Sequence, residues 1–461
     1  MRARTLAVVG LAALVACRSP RREISLIVVG GTVVTGNPAD DILRPGAVAI
    51  DGDTILEIGH PNHVRATYRA RELVSVADQI VLPGLVNTHT HAPMVLYRGL
   101  ADDLALMEWL QKYIFPAEAK TVSPEFVRIG TRLAALEMIE SGTTTFVDMY
   151  YFEEEIARAV KAAGLRGVLG QTIIQFPVAD ARSPAESLAR TEAFIKEFRA
   201  DPLITPAVAP HAMYTLDRAS LESAAALARR HDVPMLIHLA ETEDELTQSR
   251  ERHGLSPVSY LESLGFWGPR VLAAHGVWLD DADIAVLSRR RVGVSHNPES
   301  NMKLASGAAP VTKLRAAQVA VGIGTDGAAS NNDLDMFEAM RQASLLAKLT
   351  TRDPTAVTAA EALAMATIGG ARALGMDQVI GSLEPGKRAD LISVATTASR
   401  QTPLYDAVSH LVYVTRGDDV QTTVVNGRLL MRERRLLTLD RAAVLADARR
   451  VARQVREAVA P

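Results

Sequence analysis

Apolar runs that end in histidine or acidic side chains recur along the middle of this chain, and that repetition limits the fold more than any other feature. The runs 80–86, 143–149, 168–173, 204–208, 234–239, 271–274, 292–295 and 319–324 have strand character. Helical patterns lie between most of them, at 124–140, 153–163, 184–198 and 218–231, and another follows the last at 333–349. Eight strand–helix units of this length predict an α/β fold of the TIM type, a (β/α)8 barrel, with an open α/β sheet as the alternative. The polar residues decide between the two. His89 and His91, His211, His238 and Glu241, His275, His296 and Asn297, and Asp326 all follow strand runs at their C-terminal ends. A closed barrel gathers those ends at one mouth, whereas an open sheet needs a long crevice to bring so many together.

Shorter strand-like runs flank this middle. Those at 25–29, 32–35, 47–50 and 54–58 are separated by Gly30-Gly31, Pro45-Gly46 and Asp51-Gly52. Near the other end, 390–394, 411–414 and 422–425 are strand candidates, and Asn426-Gly427 is a hairpin signal. Neither segment is large, and they share a core only if the chain ends meet, so both terminal regions are expected to form one small composite β-sandwich. The expected divisions are 23–80 and 378–435 for the sandwich, 81–377 for the barrel and 438–461 for a C-terminal surface helix rich in Arg and Ala.

A net charge of −3 with scattered arginine pairs gives no basic footprint for nucleic acid, so a small-molecule substrate is expected. Cys17 is the only cysteine, which rules out an intrachain disulfide and a thiolate metal site. Arg2 and Arg4, the apolar run 6–15 and Leu14-Val15-Ala16-Cys17 resemble a bacterial lipoprotein signal, against the plainer reading of an ordinary cleaved signal peptide. Residues 1–17 are therefore expected to direct export and lipid attachment through Cys17 at the bacterial cell envelope. Arg18, in place of an aspartate after the cysteine, favours an outer-membrane anchor if the host has two membranes. A homo-oligomer is compatible with this reading.

The sharpest local signal is Pro83-Gly84-Leu85-Val86-Asn87-Thr88-His89-Thr90-His91. Residues two apart on a strand face the same side, so both imidazoles can converge on one ion. His238 and Asp326, at the ends of two other strand runs, complete a candidate set of three imidazoles and one carboxylate. That set suits zinc better than magnesium, with iron and manganese left open. The glycines around Asp326, in 321–327, lack the Lys-Ser/Thr ending of a phosphate loop and suit close packing at the mouth. Asp326 can also take a proton from water. Glu241, just beyond His238, is read as a proton-transfer group rather than as a simple helix-start acid. His275 is read as orienting the water or polarising the attacked centre.

With those residues in view, the stretch from about 23 to 432 resembles the amidohydrolase superfamily. Its nearest likeness is the branch of 5′-methylthioadenosine/S-adenosylhomocysteine deaminases and chlorotriazine hydrolases. The resemblance is carried by 82–94, 238–242, 273–276, 295–304 and 324–331. It implies a TIM barrel with a sandwich from both termini. It also implies one divalent ion, usually zinc, on His89, His91, His238 and Asp326, with Glu241 and His275 as proton-transfer and water-orienting residues. Trp109 resembles the tryptophan that covers the purine, although a core-packed helix residue is the bland alternative. Glu118 resembles the carboxylate that binds ribose hydroxyls, and His211 a pocket histidine near the nucleoside.

Gln171 stands where S-adenosylhomocysteine deaminases carry an arginine for the amino-acid carboxylate, and Arg182 is a second candidate anchor on a divergent loop. The expected activity is hydrolytic deamination of an amino-purine nucleoside, such as 5′-methylthioadenosine, adenosine or S-adenosylhomocysteine. The alternative is hydrolysis of another heterocycle (guanine, cytosine, pterin or triazine), a cyclic amide or a C–halogen bond. A non-catalytic binding protein is disfavoured because no ligand or proton-transfer residue is missing.

Overall fold

The computed structural model describes residues 21–459, so the signal read around Cys17 lies outside the described residues. Eight parallel strands close into a barrel: Leu85–Thr90, Thr143–Tyr150, Arg166–Ile173, Ile204–Pro210, Met235–Leu239, Val271–His275, Gly293–His296 and Val321–Ile323. Closure joins the last to the first through Ile323 and Asn87. Local chemistry sets the intervening helices. Pro124–Ser141, for example, starts on Ser123, whose hydroxyl accepts from the Phe126 N–H, has proline in its first turn and stops at Gly142 in a left-handed conformation (φ 90).

The first apolar run divides into two strands. Gln79–Pro83 pairs antiparallel with Leu391–Ala395 and parallel with Thr32–Val34, outside the barrel, and only Leu85–Thr90 enters it. Gly84 sits between the two, where a Cβ would overlap the Thr144 side chain. The expected single strand at 80–86 is corrected accordingly. Its pattern is uniformly apolar because both halves are buried, one against each sheet.

Strands from the two terminal regions do meet in the flanking β-domain. A seven-stranded sheet runs in the order Arg435–Leu436, Arg428–Arg432, Val420–Val425, Leu391–Ala395, Gln79–Pro83, Thr32–Val34, Ile42–Leu43. A four-stranded sheet of N-terminal strands covers it, and Leu26, Val28, Val81, Leu391 and Val424 share the core between them. Asn426 and Gly427, both at positive φ, turn the Val420–Val425/Arg428–Arg432 hairpin.

The strand expected at 411–414 is instead helix Ala407–Tyr413. Asp406 caps it by accepting from the Ser409 N–H at 2.7 Å, and Ala407, His410 and Leu411 are buried at helical spacing. The strand propensity of Val412, Tyr413 and Val414 is overridden by that cap and by packing on helix Ala359–Met365. The C-terminal helix, Arg441–Val459, docks a stripe of Val444, Ala448, Val451 and Val455 on Pro124–Ser141. No helix of the described residues is long and apolar enough to cross a membrane.

Candidate metal centre and active site

The strand ends place His89, His91, His238, His275 and Asp326 around one point at the barrel mouth. Nε2 of His89 and Nε2 of His91 each lie 3.4 Å from Asp326 Oδ1, and His238 Nε2 lies 3.3 Å from His91 Nε2. Donor atoms this close together suit ligands that share one ion. The tautomers agree with that geometry. His91 Nδ1 donates to the Met149 carbonyl and His238 Nδ1 to the His211 carbonyl, each at 2.7 Å, which leaves both Nε2 lone pairs facing inward. Two such lone pairs at 3.3 Å repel unless a cation lies between them. His89 Nε2 is buried without a hydrogen-bond partner. The residues present therefore fit one divalent ion.

Charge states point the same way. Burial holds His89 down to about 4 and His238 well below the ordinary histidine value, so both are neutral ligands near pH 7. Burial opposes ionisation of Asp326. The imidazoles of His89, His275 and His91 gathered around it nevertheless keep its carboxyl well below the usual range. Asp326 Oδ2 accepts from the hydroxyls of Ser300 at 2.6 Å and Ser330 at 2.9 Å, while Oδ1 accepts from the Gly327 N–H at 2.7 Å.

Beside the ligands, Glu241 Oε2 and His275 Nε2 are 3.7 Å apart, both buried. Burial raises the Glu241 carboxyl. Burial works against a cationic His275, but the Glu241 and Asp326 charges outweigh it and raise that ring. His275 Nδ1 meets Asn301 Oδ1 at 2.9 Å, so the ring presents Nε2 to the mouth. His275, His89 and His238 also bring ligand atoms within 4.8 Å of one another, which makes His275 part of the same cluster.

A cleft opens over this cluster, its lining largely apolar with a few convergent polar groups. Its outer wall comes from the segment after the first barrel strand, where Leu106–Trp109, a π-helical turn at Leu110–Ile114 and Phe115–Thr121 follow one another. Trp109 and Glu118 both line the cleft from this segment. Tyr150 donates its hydroxyl to Glu118 Oε1 at 2.7 Å, and burial pushes the Glu118 carboxyl up to about 7 against that hydrogen bond. His211 lines the cleft as well, its Nδ1 3.1 Å from the Thr215 hydroxyl, while its carbonyl orients His238.

Two expected contacts are not brought there. Gln171 is buried behind the wall, donating to Asp180 Oδ2 at 2.8 Å, and its neighbour Thr172 faces the cleft instead. Alternation along the strand sends one of the pair inward. Arg182 is exposed on the loop that follows, with its backbone N–H donating to Glu186.

The sequence alone assigns no roles to Tyr150, Tyr214, Ser300, Asn301 or Ser330. Tyr150 and Tyr214 follow strand ends, which is a usable signal. Ser300 and Ser330 support Asp326, and Asn301 supports His275, through contacts that spacing cannot reveal.

The amidohydrolase family profile matches residues 80–430. A 5-methylthioadenosine/S-adenosylhomocysteine deaminase of Syntrophobacter fumaroxidans is 49% identical over 431 residues, covering 94% of this chain and 98% of that relative. A 5′-deoxyadenosine deaminase of Methanosarcina mazei is 44% identical, covering 93% and 98%. The crystal structure of an adenosine deaminase from Xanthomonas campestris with bound zinc superposes with a TM-score of 0.93 at 42% identity, covering 95% of this chain and all of that one.

Proposed function

The chain belongs to the amidohydrolase family, and we propose that it deaminates amino-purine nucleosides hydrolytically at this one metal centre. The observation that carries the reading is the cleft itself. A metal-ligand cluster with the Glu241–His275 pair forms its floor, and Trp109 with the buried carboxyl of Glu118 forms its wall. The floor suits attack by water on a ring carbon, and the wall suits a base stacked on an indole and a sugar hydroxyl donating to a carboxylate.

His89, His91, His238 and Asp326 would hold the ion, with zinc the best match to three imidazoles and a carboxylate. A divalent ion so bound acidifies water and supplies a nucleophile near neutral pH. Asp326, ionised and fixed by two serines, accepts the proton that water loses as its oxygen adds to C6 of the purine. Glu241, whose raised carboxyl favours the protonated state, gives its proton to N1. His275, fixed at Nδ1 by Asn301, faces the attacked carbon with Nε2 and steadies the oxygen developing there. Proton return to the exocyclic nitrogen breaks the C–N bond, and ammonia leaves with the 6-oxopurine nucleoside as the other product.

On this reading the ribose held at Glu118 directs its 5′ group into an adjoining compartment with a largely apolar lining. Phe115, Glu118 and Tyr151 are shared between the cleft and this compartment, which is walled by Phe176, Val178 and Ala179, with no Lys or Arg among its lining residues. An amino-acid carboxylate placed there meets no cation. Substrates with uncharged 5′ groups are therefore favoured over S-adenosylhomocysteine.

The test is ammonia release by the metal-loaded protein across adenosine, 5′-deoxyadenosine, 5′-methylthioadenosine, S-adenosylhomocysteine, guanine, cytosine, a pterin and an aminotriazine. Turnover of the adenosines, with S-adenosylhomocysteine at least about tenfold lower in kcat/KM, is expected. Silence on all adenosines overturns the reading. Export and lipid attachment through Cys17 are proposed from the sequence signal at 1–17. Incorporation of a labelled fatty acid in a bacterial host, lost in Cys17→Ala, is the measurement that checks them.

A further inference from the structure

The buried carboxyl of Glu245 takes no part in the chemistry above. We propose that Glu245 is a positioning residue for Glu241, holding the Ala240–Glu241 turn by accepting the backbone N–H group of Glu241. The inference rests on the proton-transfer role given to Glu241.

Barrel strand Met235–Leu239 ends one residue before Ala240, whose φ of 47 places an alanine in the left-handed region. A side chain adopts that conformation when its surroundings impose it. Here it stops the strand and leaves Glu241 lining the cleft beside His275.

The turn is held from two sides. Its carbonyls accept from the loop after His275: Gly276 N–H donates to the Leu239 carbonyl at 3.0 Å, and the N–H groups of Val277 and Trp278 donate to the Ala240 carbonyl at 3.0 and 2.9 Å. On the other side Glu241 N–H donates to Glu245 Oε2 at 3.0 Å. Glu245 thus completes a brace that fixes Glu241 relative to the strand carrying His275.

An acid in the first turn of helix Glu243–His253 has an ordinary explanation in the helix dipole. Glu243 and Asp244 fit it, since both are exposed. Glu245 does not. It is 4% exposed, it reaches back over the Thr242 cap, and its Oε1 has no hydrogen-bond partner. A buried carboxyl is expensive, and the Glu241 N–H is the backbone donor that offsets part of that cost here.

The experiment compares kcat, KM, the pH profile, metal content and melting temperature in the metal-loaded wild type, Glu245→Gln, Glu245→Leu and Glu241→Gln. The amide carbonyl of the glutamine variant still accepts the Glu241 N–H, so Glu245→Gln is expected to keep kcat within about threefold and to leave the pH profile in place. Leucine accepts nothing, and Glu245→Leu is expected to lose roughly 10- to 100-fold in kcat, with KM and metal content unchanged.

Full kcat in folded Glu245→Leu overturns the proposal. So does a glutamine variant that falls as far as the leucine variant or whose pH profile moves, because the charge or proton would then be what matters. If Glu245→Leu does not fold, the kcat and pH profile of Glu245→Gln decide alone. Full activity of Glu241→Gln removes the role of Glu241 itself. An inactive Glu241→Gln beside a fully active Glu245→Leu removes only the brace.

Discussion

At the scale of single residues, the candidate metal ligands stand out in the sequence, but the groups that aim them do not. His89 and His91 stand two apart at a strand end, a relation visible in one dimension. Ser300 and Ser330 reach Asp326 from different loops, and only the fold brings them to one oxygen. Removing the shorter bond, Ser300→Ala is expected to weaken metal affinity by about 10- to 100-fold. A competition titration in metal buffers reads this, and an unchanged affinity contradicts it.

Gln171 illustrates the reverse case: its position in the chain invited a binding role, and a buried hydrogen bond to Asp180 uses its amide. Glu118 supplies a pH test. Burial raises its carboxyl from 4.5 to about 7, so between those values the folded state binds more protons than the unfolded state. Its contribution to stability is thus present below 4.5 and lost as pH rises through about 7. Glu118→Gln keeps the shape of the protonated acid and cannot ionise. In urea denaturation of the metal-free proteins, the variant should gain on the wild type between about pH 5 and pH 8. A pH-independent difference contradicts the shift.

At the scale of elements, helix starts and stops were readable because caps act over three or four residues, as Ser123 and Gly142 show. Strand membership was not. Residues 80–86 make one apolar run in the sequence and two strands of different sheets in the molecule, because hydrophobicity reports burial without saying against what. The 411–414 segment failed for a related reason, its β-branched residues being packed as a helix over a cap.

Gly324 joins element to site. A Cβ there would lie 2.8 Å from the His89 backbone nitrogen and closer still to Asn297 Oδ1 and Ser295 Oγ. Gly324→Ala is therefore expected to push the first and last barrel strands apart, costing about 1–3 kcal/mol in the metal-free protein. Metal binding should weaken with it. Equilibrium denaturation checks the first effect and metal titration the second.

At the scale of the whole molecule, barrel and β-domain are joined at the barrel end opposite the mouth. Arg166, first in the third barrel strand, donates to both oxygens of Asp390 at 2.9 and 3.3 Å, to Asn426 Oδ1 and to the Pro202 carbonyl. Both members of the Arg166–Asp390 pair are buried. Arg166→Met leaves the Asp390 carboxylate without its partner and is expected to cost about 3–5 kcal/mol, while activity per folded molecule stays. Asp390→Asn in the same chain should recover part of the loss, and urea denaturation of the three proteins measures both.

Nothing in the sequence pairs residues 224 positions apart. What the sequence determined by itself was periodic or local: eight strand–helix units, the hairpin turn, and a ligand set at the strand ends, since strand alternation and caps act over a few residues. The tertiary structure decided which apolar run belongs to which sheet. It decided that Thr172 rather than Gln171 faces the substrate cleft, and that Ser300, Ser330, Asn301 and Glu245 stand behind the reacting groups. Those outcomes depend on closure of the barrel, which brings distant strand ends within hydrogen-bond reach and exists only once the whole chain has folded.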